Sequence, residues 1–361
     1  MESNGKIDLK GHRLPELEEI VQSWGEKRYR ARQLMLWLYH KRAASFEEMT
    51  DISKVFRAKL SDLAYISHLK PLEKVTSELD DTTKYLFELQ DGQKVESVLM
   101  YDRERVTCCV STQVGCAQGC AFCATGASGF VRNLTASEII GQIMSIEADM
   151  EDSEWAGGPH GVKSVTNVVL MGMGEPLANY GESMKAIRLM NDPEGLMIAA
   201  RKITVSTCGL APQIRQFTRE GTQVGLAVSL NATTDEVRSR LMPINRRHPI
   251  SEVLSACKEW ALAVNRWLTV EYILMKGIND SIGDARQLCR ILHGIPSKVN
   301  LIAYNAVDGL PFERPTPARI ESFRQRLANS HLVAPVRVSR GSDISAACGQ
   351  LRVRRRQTDL A

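Results

Sequence analysis

The sequence predicts an α/β protein: a partial, TIM-like (β/α)6 barrel, preceded by a small helical amino-terminal domain and a short β extension. Three observations predict it. Apolar, β-branched runs alternate with segments long enough for crossover helices, the pattern of a parallel sheet. Polar and glycine residues fall at the carboxyl ends of those runs, where a parallel barrel builds its functional face. The 361 residues, 43% of them hydrophobic, can also bury a sizeable core.

The elements follow in order. Residues 25–65 place Leu34, Trp37 and Leu38 at helical spacing among basic side chains, so 1–80 reads as a helical accessory domain with basic residues around its apolar stripe. TKYLFELQDGQKVESVLM, residues 83–100, reads as two strands around Asp91-Gly92, a dipeptide suited to a tight hairpin, and 81–104 forms the β extension. RVTCCVSTQ, SVTNVVLMGMG, KITVSTCG, QVGLAVSLN, LTVEYILMKG and KVNLIAYN are six barrel strands within 105–345. DMEDSEWAGGPHGVK, residues 149–163, reads as an acidic, glycine-rich surface loop before the second of them. Residues 346–361 form a carboxyl-terminal segment ending in a basic tail.

Composition narrows the class. MESNGKIDLKGHRL lacks the apolar stretch of a secretory signal, and no run nears the roughly 18 apolar residues of a membrane helix. Nine cysteines, an odd count, disfavour a complete disulfide framework and point to reduced thiols or cluster ligands in the cytoplasm. The net charge of +4 does not by itself require a polyanionic partner. Two basic patches, Asn245-Arg246-Arg247-His248 and the terminal Arg352, Arg354, Arg355 and Arg356, suit either RNA contact or a solvated surface.

The first barrel strand leads into GCAQGCAFCATGASGF, where Cys116, Cys120 and Cys123 follow C-x3-C-x2-C. A structural zinc ion is normally closed by four ligands, so three clustered thiols serve it poorly. A [4Fe-4S] cluster on three cysteines leaves one iron open. That iron can chelate the amino and carboxylate groups of S-adenosylmethionine (SAM) and reduce its sulfonium, releasing a 5′-deoxyadenosyl radical. The spacing, with Phe122 before the last cysteine, resembles the radical SAM superfamily.

Further stretches narrow the resemblance: VSTQVGCAQGCAFCATGASGFVRNLTASEI, MGMGEPLANY, VSTCGLAPQIR, SLNATTDEVRSRLMPIN, NLIAYN and SRGSDISAACGQL. In order and spacing they resemble the RlmN/Cfr family of radical SAM RNA methyltransferases, with the RlmN branch nearest, over residues from about 15 to 351.

The resemblance implies a set of roles. Gly174 and Glu175 would bind the methionyl amino group of SAM, and Ser206, Ser229, Leu230, Asn231 and Asn305 its ribose and adenine. Asn231 departs from the family, many members of which carry histidine there. Cys348 would take a methyl group from one SAM and become S-methylcysteine, a second SAM supplying the radical, so two are used per turnover. The methylene radical adds to the base, Glu96 removes the ring proton, and Cys109 resolves the protein-RNA adduct, leaving a Cys109-Cys348 disulfide for a reductant to reopen. Cys108 would point to the opposite strand face, and the strand alone does not select between Cys108 and Cys109. Cys208, Cys257 and Cys289 read as small buried hydrophobes.

The implied substrate is an adenine of 23S rRNA in the peptidyl-transferase centre, together with the adenine just after the anticodon of certain tRNAs, methylated at carbon 2. The implied electron donor is a flavodoxin or ferredoxin, and a monomer without membrane attachment is expected. Three alternatives stay open on sequence: Cfr-type methylation at carbon 8, a non-catalytic iron-sulfur protein that binds RNA, and a radical SAM enzyme acting on protein or small molecules.

Overall fold

Apolar residues at helical spacing make the amino-terminal region a packed unit. The protein is described here by a computed structural model covering residues 5–152 and 164–352. Strand β1 (Ile7–Asp8) precedes α1 (Leu14–Ser23) and α2 (Tyr29–Met35), which continues through a π turn, Leu36–His40. Helix α3 (Lys54–Leu63) then leads into β2 (Ala64–Tyr65), which pairs in parallel with β1. Leu34, Trp37 and Leu38 are buried, as their spacing predicts. The hydroxyl of Ser53 caps α3 by accepting the Phe56 N–H at 3.3 Å.

Strands β3 (Pro71–Thr76), β4 (Thr83–Glu88), β5 (Lys94–Asp102) and β6 (Arg105–Cys109) run antiparallel in succession. The Asp91-Gly92 turn joins β4 to β5, with Gly92 at φ +77°. The extension therefore begins at Pro71 rather than at residue 81. PLEKVT is almost entirely exposed, so no alternating apolar face marks it as a strand.

The barrel alternates from there. A ribbon of β7 (Gln113–Gly115) and β8 (Phe130–Asn133) brackets the short helix α4 (Ala124–Ala127). There follow α5 (Ala136–Asp152), β9 (Asn167–Leu170), α6 (Tyr180–Asn191), β10 (Ile203–Thr207), α7 (Ala211–Arg219), β11 (Gly225–Ser229) and α8 (Asp235–Leu241). The remainder is α9 (Ile250–Val264), β12 (Leu268–Leu274), α10 (Ile282–Ile291), β13 (Ser297–Ala303), α11 (Pro317–Ala328) and β14 (Val336–Arg337).

One ten-stranded sheet results, in the order β14-β13-β12-β11-β10-β9-β6-β5-β4-β3. From β6 to β14 every pairing is parallel, so the six predicted strands are all present and β14 adds a seventh. Two residues are too few for β14 to announce itself by periodicity. The barrel is open: β14 ends the sheet instead of pairing with β6.

The helices cover the outside. Trp260 of α9 and Phe217 of α7 are fully buried, and Phe323 of α11 stacks on Tyr272 of β12 with ring centroids 5.5 Å apart. Each such side chain contributes roughly 1.5–3 kcal/mol. Residues 149–152, expected in a surface loop, instead complete α5, and 153–163 lie outside the described residues. Among the described residues no helix is long and apolar enough to cross a membrane.

Candidate active site

The cysteine loop is held by its glycines. Gly115 sits at φ +73°, where a Cβ would lie 1.9 Å from the Gly129 carbonyl oxygen, so no larger residue fits. That same carbonyl accepts the Cys116 N–H at 2.8 Å, and the Cys120 carbonyl accepts the Cys123 N–H at 3.2 Å. Phe122 anchors the loop in a small apolar cluster with Leu241, Met242, Met275 and Tyr304. The backbone thus presents Cys116, Cys120 and Cys123 together.

Their electrostatics fit a metal-cluster donor set. Burial, with added negative charge from Glu175 and Cys123, pushes the Cys116 thiol up to about 12, and burial with the charges of Cys123, Cys116 and Glu175 pushes the Cys120 thiol well up too. Three soft thiols that repel one another as anions are stabilised by iron. Among the described residues no three metal-ligating side chains close on a point the size of one ion. A cluster asks for less convergence, since each thiol takes a different iron.

Glu175 stands beside these thiols. Gly174, at φ +101°, lies so close to Gln113 that a Cβ would meet its side chain at 2.6 Å. The Gln113 amide oxygen accepts the Glu175 N–H at 2.9 Å, and its NH2 group donates to the Asn133 side chain at 2.8 Å. The buried Glu175 carboxylate accepts N–H groups of Leu177 at 3.0 Å and Cys208 at 2.7 Å. Burial raises its pKa, against these hydrogen bonds. Its neighbours are donors and thiols rather than cations, a setting that fits the amino group of SAM. Cys208 is therefore part of the Glu175 cradle, not merely a buried hydrophobe.

Glu175→Gln is expected to weaken SAM binding about 10- to 100-fold, the worth of one charge-assisted hydrogen bond. Equilibrium binding to the iron-loaded protein, with cluster absorbance as the control, checks it. Unchanged affinity would remove Glu175 from the SAM site.

Two cavities meet at the carboxyl-terminal segment. One, of about 660 Å³ inside the barrel, is lined by Cys109, Cys123, Asn305 and Cys348 among others. The second, of about 990 Å³, is lined by Lys84, Lys94, Glu96, Gln350 and Arg352 among others. Residues 345–352 form the partition: Cys348 and Leu351 face the first cavity, Gln350 and Arg352 the second. The Ala124 N–H donates to the Gly349 carbonyl at 2.8 Å, and the Thr125 hydroxyl donates to the Leu351 carbonyl at 2.6 Å, pinning the partition to the cysteine loop. The Asn305 amide donates to the Cys348 carbonyl at 3.4 Å.

The cysteine pair on β6 is divided as strand alternation requires. Cys109 faces the cavity shared with Cys348, while Cys108 is fully buried and feels the charge of Glu147 on α5. Glu96 shares the strand face of Val98 and Met100 but opens to the second cavity. Its carboxylate accepts the Lys84 ammonium at 3.2 Å and the Arg352 N–H at 2.8 Å. Burial raises its pKa despite Lys84.

The remaining positions are placed unevenly. Ser206 and Ser229 are half-buried at neighbouring strand ends, and Leu230 is fully buried. Asn231 does not present its side chain to the cavity: at φ +56°, its amide oxygen accepts the Ile273 N–H at 2.9 Å and its NH2 group meets the Met242 sulfur at 3.4 Å. Its side chain is spent on tying β11 to β12. Cys257 is fully buried and Cys289 half-buried. In the basic patch Arg246 and Arg247 are exposed, but Asn245 is buried with its side chain bonded to Arg238, because it closes the turn after α8. Of the terminal arginines only Arg352 lies within the described residues.

Sequence reading missed Arg238. Fully buried, its guanidinium donates to the carbonyls of Cys208 at 2.6 Å, Leu230 at 3.1 Å and Ser229 at 3.3 Å, locking two strand ends at the site. Its helical neighbours gave no signal, since an arginine in DEVRSRL reads as surface.

Comparison with known proteins agrees with this geometry. Residues 7–66 match the family model described as the ribosomal RNA large subunit methyltransferase N-terminal domain, and 110–289 match that of the radical SAM superfamily. A dual-specificity RNA methyltransferase RlmN of Pelobacter propionicus is 50% identical over 347 residues, 96% of each chain. The RlmN of Geotalea uraniireducens is 48% identical over 97% of each chain. A crystal structure of a radical SAM methyltransferase from Sphaerobacter thermophilus superposes with a TM-score of 0.89 at 45% identity, covering 96% of this chain and 99% of that one. With cysteine loop, carboxylate and partial barrel in this arrangement, the chain belongs to the RlmN family of radical SAM methyltransferases.

Proposed function

We propose that the chain methylates carbon 2 of an adenine in RNA, in 23S rRNA and beside the anticodon of certain tRNAs, with Cys348 as methyl carrier and Cys109 as resolving thiol. The observation that carries this reading is the meeting of Cys109 and Cys348, far apart in sequence, on one cavity beside Cys123. The relatives named above are dual-specificity RNA methyltransferases.

Carbon 2 of adenine is electrophilic, so a simple attack on a methyl sulfonium fails there. The [4Fe-4S] cluster on Cys116, Cys120 and Cys123, with two SAM molecules per turnover, supplies the methyl group and the radical that activates it. Cys348 holds that methyl as a thioether on the partition between the cavities. Once the methylene radical has joined carbon 2, that carbon loses its proton and the adduct one electron to the electron carrier; Glu96, kept basic by burial and oriented by Lys84 and the Arg352 amide, takes the proton after the partition of residues 345–352 shifts, since Glu96 opens to the larger cavity and Cys348 to the smaller. The Cys109 thiolate then bonds to the Cys348 sulfur; the bond from that sulfur to the transferred carbon breaks, its electron pair takes up a proton to complete the methyl group, and the resulting disulfide is reopened by a thiol reductant. Lys84, Lys94 and Arg352 around the larger cavity suit RNA phosphate. Unstacking the adenine brings its edge within reach.

The test incubates anaerobically reconstituted protein with SAM, a reductant such as flavodoxin or ferredoxin, and unmodified 23S rRNA fragment or tRNA. Nucleoside mass spectrometry should find 2-methyladenosine. 8-Methyladenosine would move the chain to Cfr-type chemistry, and SAM cleavage without any methyladenosine would overturn the substrate.

A further inference from the structure

We infer that Arg337 is a positioning residue for the reaction: its guanidinium supplies the positive charge against which the sulfur of Cys109, beside Cys348, acts as an anion. This rests on the reading of those cysteines as resolving thiol and methyl carrier.

The open barrel creates the arrangement. Cys109 lies on β6 and Arg337 on β14, the two extremes of the parallel run, which the sheet order never pairs. Curvature nevertheless brings both to the 660 Å³ cavity, where Cys348 enters from the carboxyl-terminal segment. Arg337 is held there by its pairing with Ile302 of β13, itself a lining residue. The gap left by the unclosed sheet is thus lined by Cys109, Cys348 and Arg337, with Cys123, Arg105 and Arg340 also on its wall.

The surroundings make that charge count. Glu271 of β12 lines the same cavity, its Oε1 accepting the Asn300 amide at 2.9 Å while its Oε2 is buried without a hydrogen-bond partner among the described residues. A buried carboxylate and a resolving thiol that must ionise both need a cation, and an arginine cannot surrender its charge by losing a proton. Cys348, Glu271 and Cys109 each raise the Arg337 pKa, Cys348 most, against burial.

The other charged groups are accounted for. Cys108 lies behind Cys109 on the opposite strand face, and Lys298 acts on Glu271. Arg105, Lys202 and the Arg340-Asp102 pair, 3.4 Å apart, line the same cavity. Of all these, Arg337 is the cation that opposes the upward push on Cys109, whose thiol burial and the Cys348 charge drive to about 12. The sign is fixed: removing the guanidinium raises that thiol further, lowers the thiolate fraction at any working pH, and moves reactivity to higher pH.

Iodoacetamide alkylation of the reduced, cluster-loaded protein, without SAM or RNA, reads this directly when each cysteine peptide is quantified across pH. Arg337→Met should slow Cys109 alkylation about tenfold near neutral pH, a shift of about one unit in its profile. Arg337→Lys should retain most of the wild-type profile. An unchanged profile in Arg337→Met overturns the inference, as does a loss that Lys fails to rescue in a protein with wild-type melting temperature. In turnover, Arg337→Met should accumulate protein-RNA adduct that decays faster as pH rises. The two readings fail separately. If the profile shifts but Cys109→Ala traps no RNA, the role of Cys109 is wrong and Arg337 still acts on its thiol; trapping with an unshifted profile means the reverse.

Discussion

Alanine at position 348 is expected to abolish RNA methylation, a loss of roughly three orders of magnitude or more, while the iron-sulfur absorbance and SAM binding stay at wild-type levels. The magnitude follows from the role: without a sulfur no thioether forms, and removing a covalent carrier leaves no slower version of the same route. The sparing of the cluster follows from place. Cys348 lies on the partition, contacting the cysteine loop through backbone bonds such as Ala124 N–H to Gly349 O at 2.8 Å, which an alanine side chain leaves intact. The side chain is only partly buried, so the cost to stability should be within about 1 kcal/mol. Ultraviolet-visible spectra, SAM binding and nucleoside mass spectrometry on one preparation decide the matter. Retained methylation sinks the carrier role. Loss of the cluster together with activity shows that position 348 supports the loop instead.

How much of this was readable before the structure depends on how local each signal is. The cysteine loop was fully legible, because ligand spacing and glycine conformation are properties of one short stretch. The six parallel strands were legible because each is a short run rich in apolar and β-branched residues separated from the next by a segment long enough for a crossover helix. β14 was not: it has two residues and gains strand geometry only by pairing with β13. Arg238 and Arg337 were invisible for a related reason, since burial of a charged side chain is decided by elements distant in sequence. Asn231 shows the opposite case. Its family position suggested a ligand contact, but the left-handed backbone and the partners Ile273 and Met242 commit its side chain to the fold. The partition formed by residues 345–352 could not be foreseen either, because neither cavity exists until the chain end crosses between β5 and the cysteine loop.

Cys109→Ala should do something different from Cys348→Ala: carry the reaction forward and stop it with protein attached to RNA. The carrier sulfur is still present, so the carbon-carbon bond to adenine still forms. What is missing is the thiol that would take the Cys348 sulfur away. Released methyladenosine should fall roughly a hundredfold or more, while a band of protein bound to RNA rises toward one RNA per protein. Denaturing gels and mass spectrometry of the digested adduct, which should place the link on the peptide carrying Cys348, provide the readout. Cys108→Ala is the internal control. Its side chain lies on the other face of β6, fully buried toward Glu147, so it should cost about 1 kcal/mol of stability and leave turnover near wild type. Trapping by Cys108→Ala rather than Cys109→Ala would mean that β6 presents its opposite face to the reaction, a one-residue change of register that would also displace Glu96 and Val98 on the neighbouring strand. The register Val98 to Cys109 and Leu99 to Cys108 forbids that without rebuilding the sheet, and so the pair of variants tests the strand as well as the thiol.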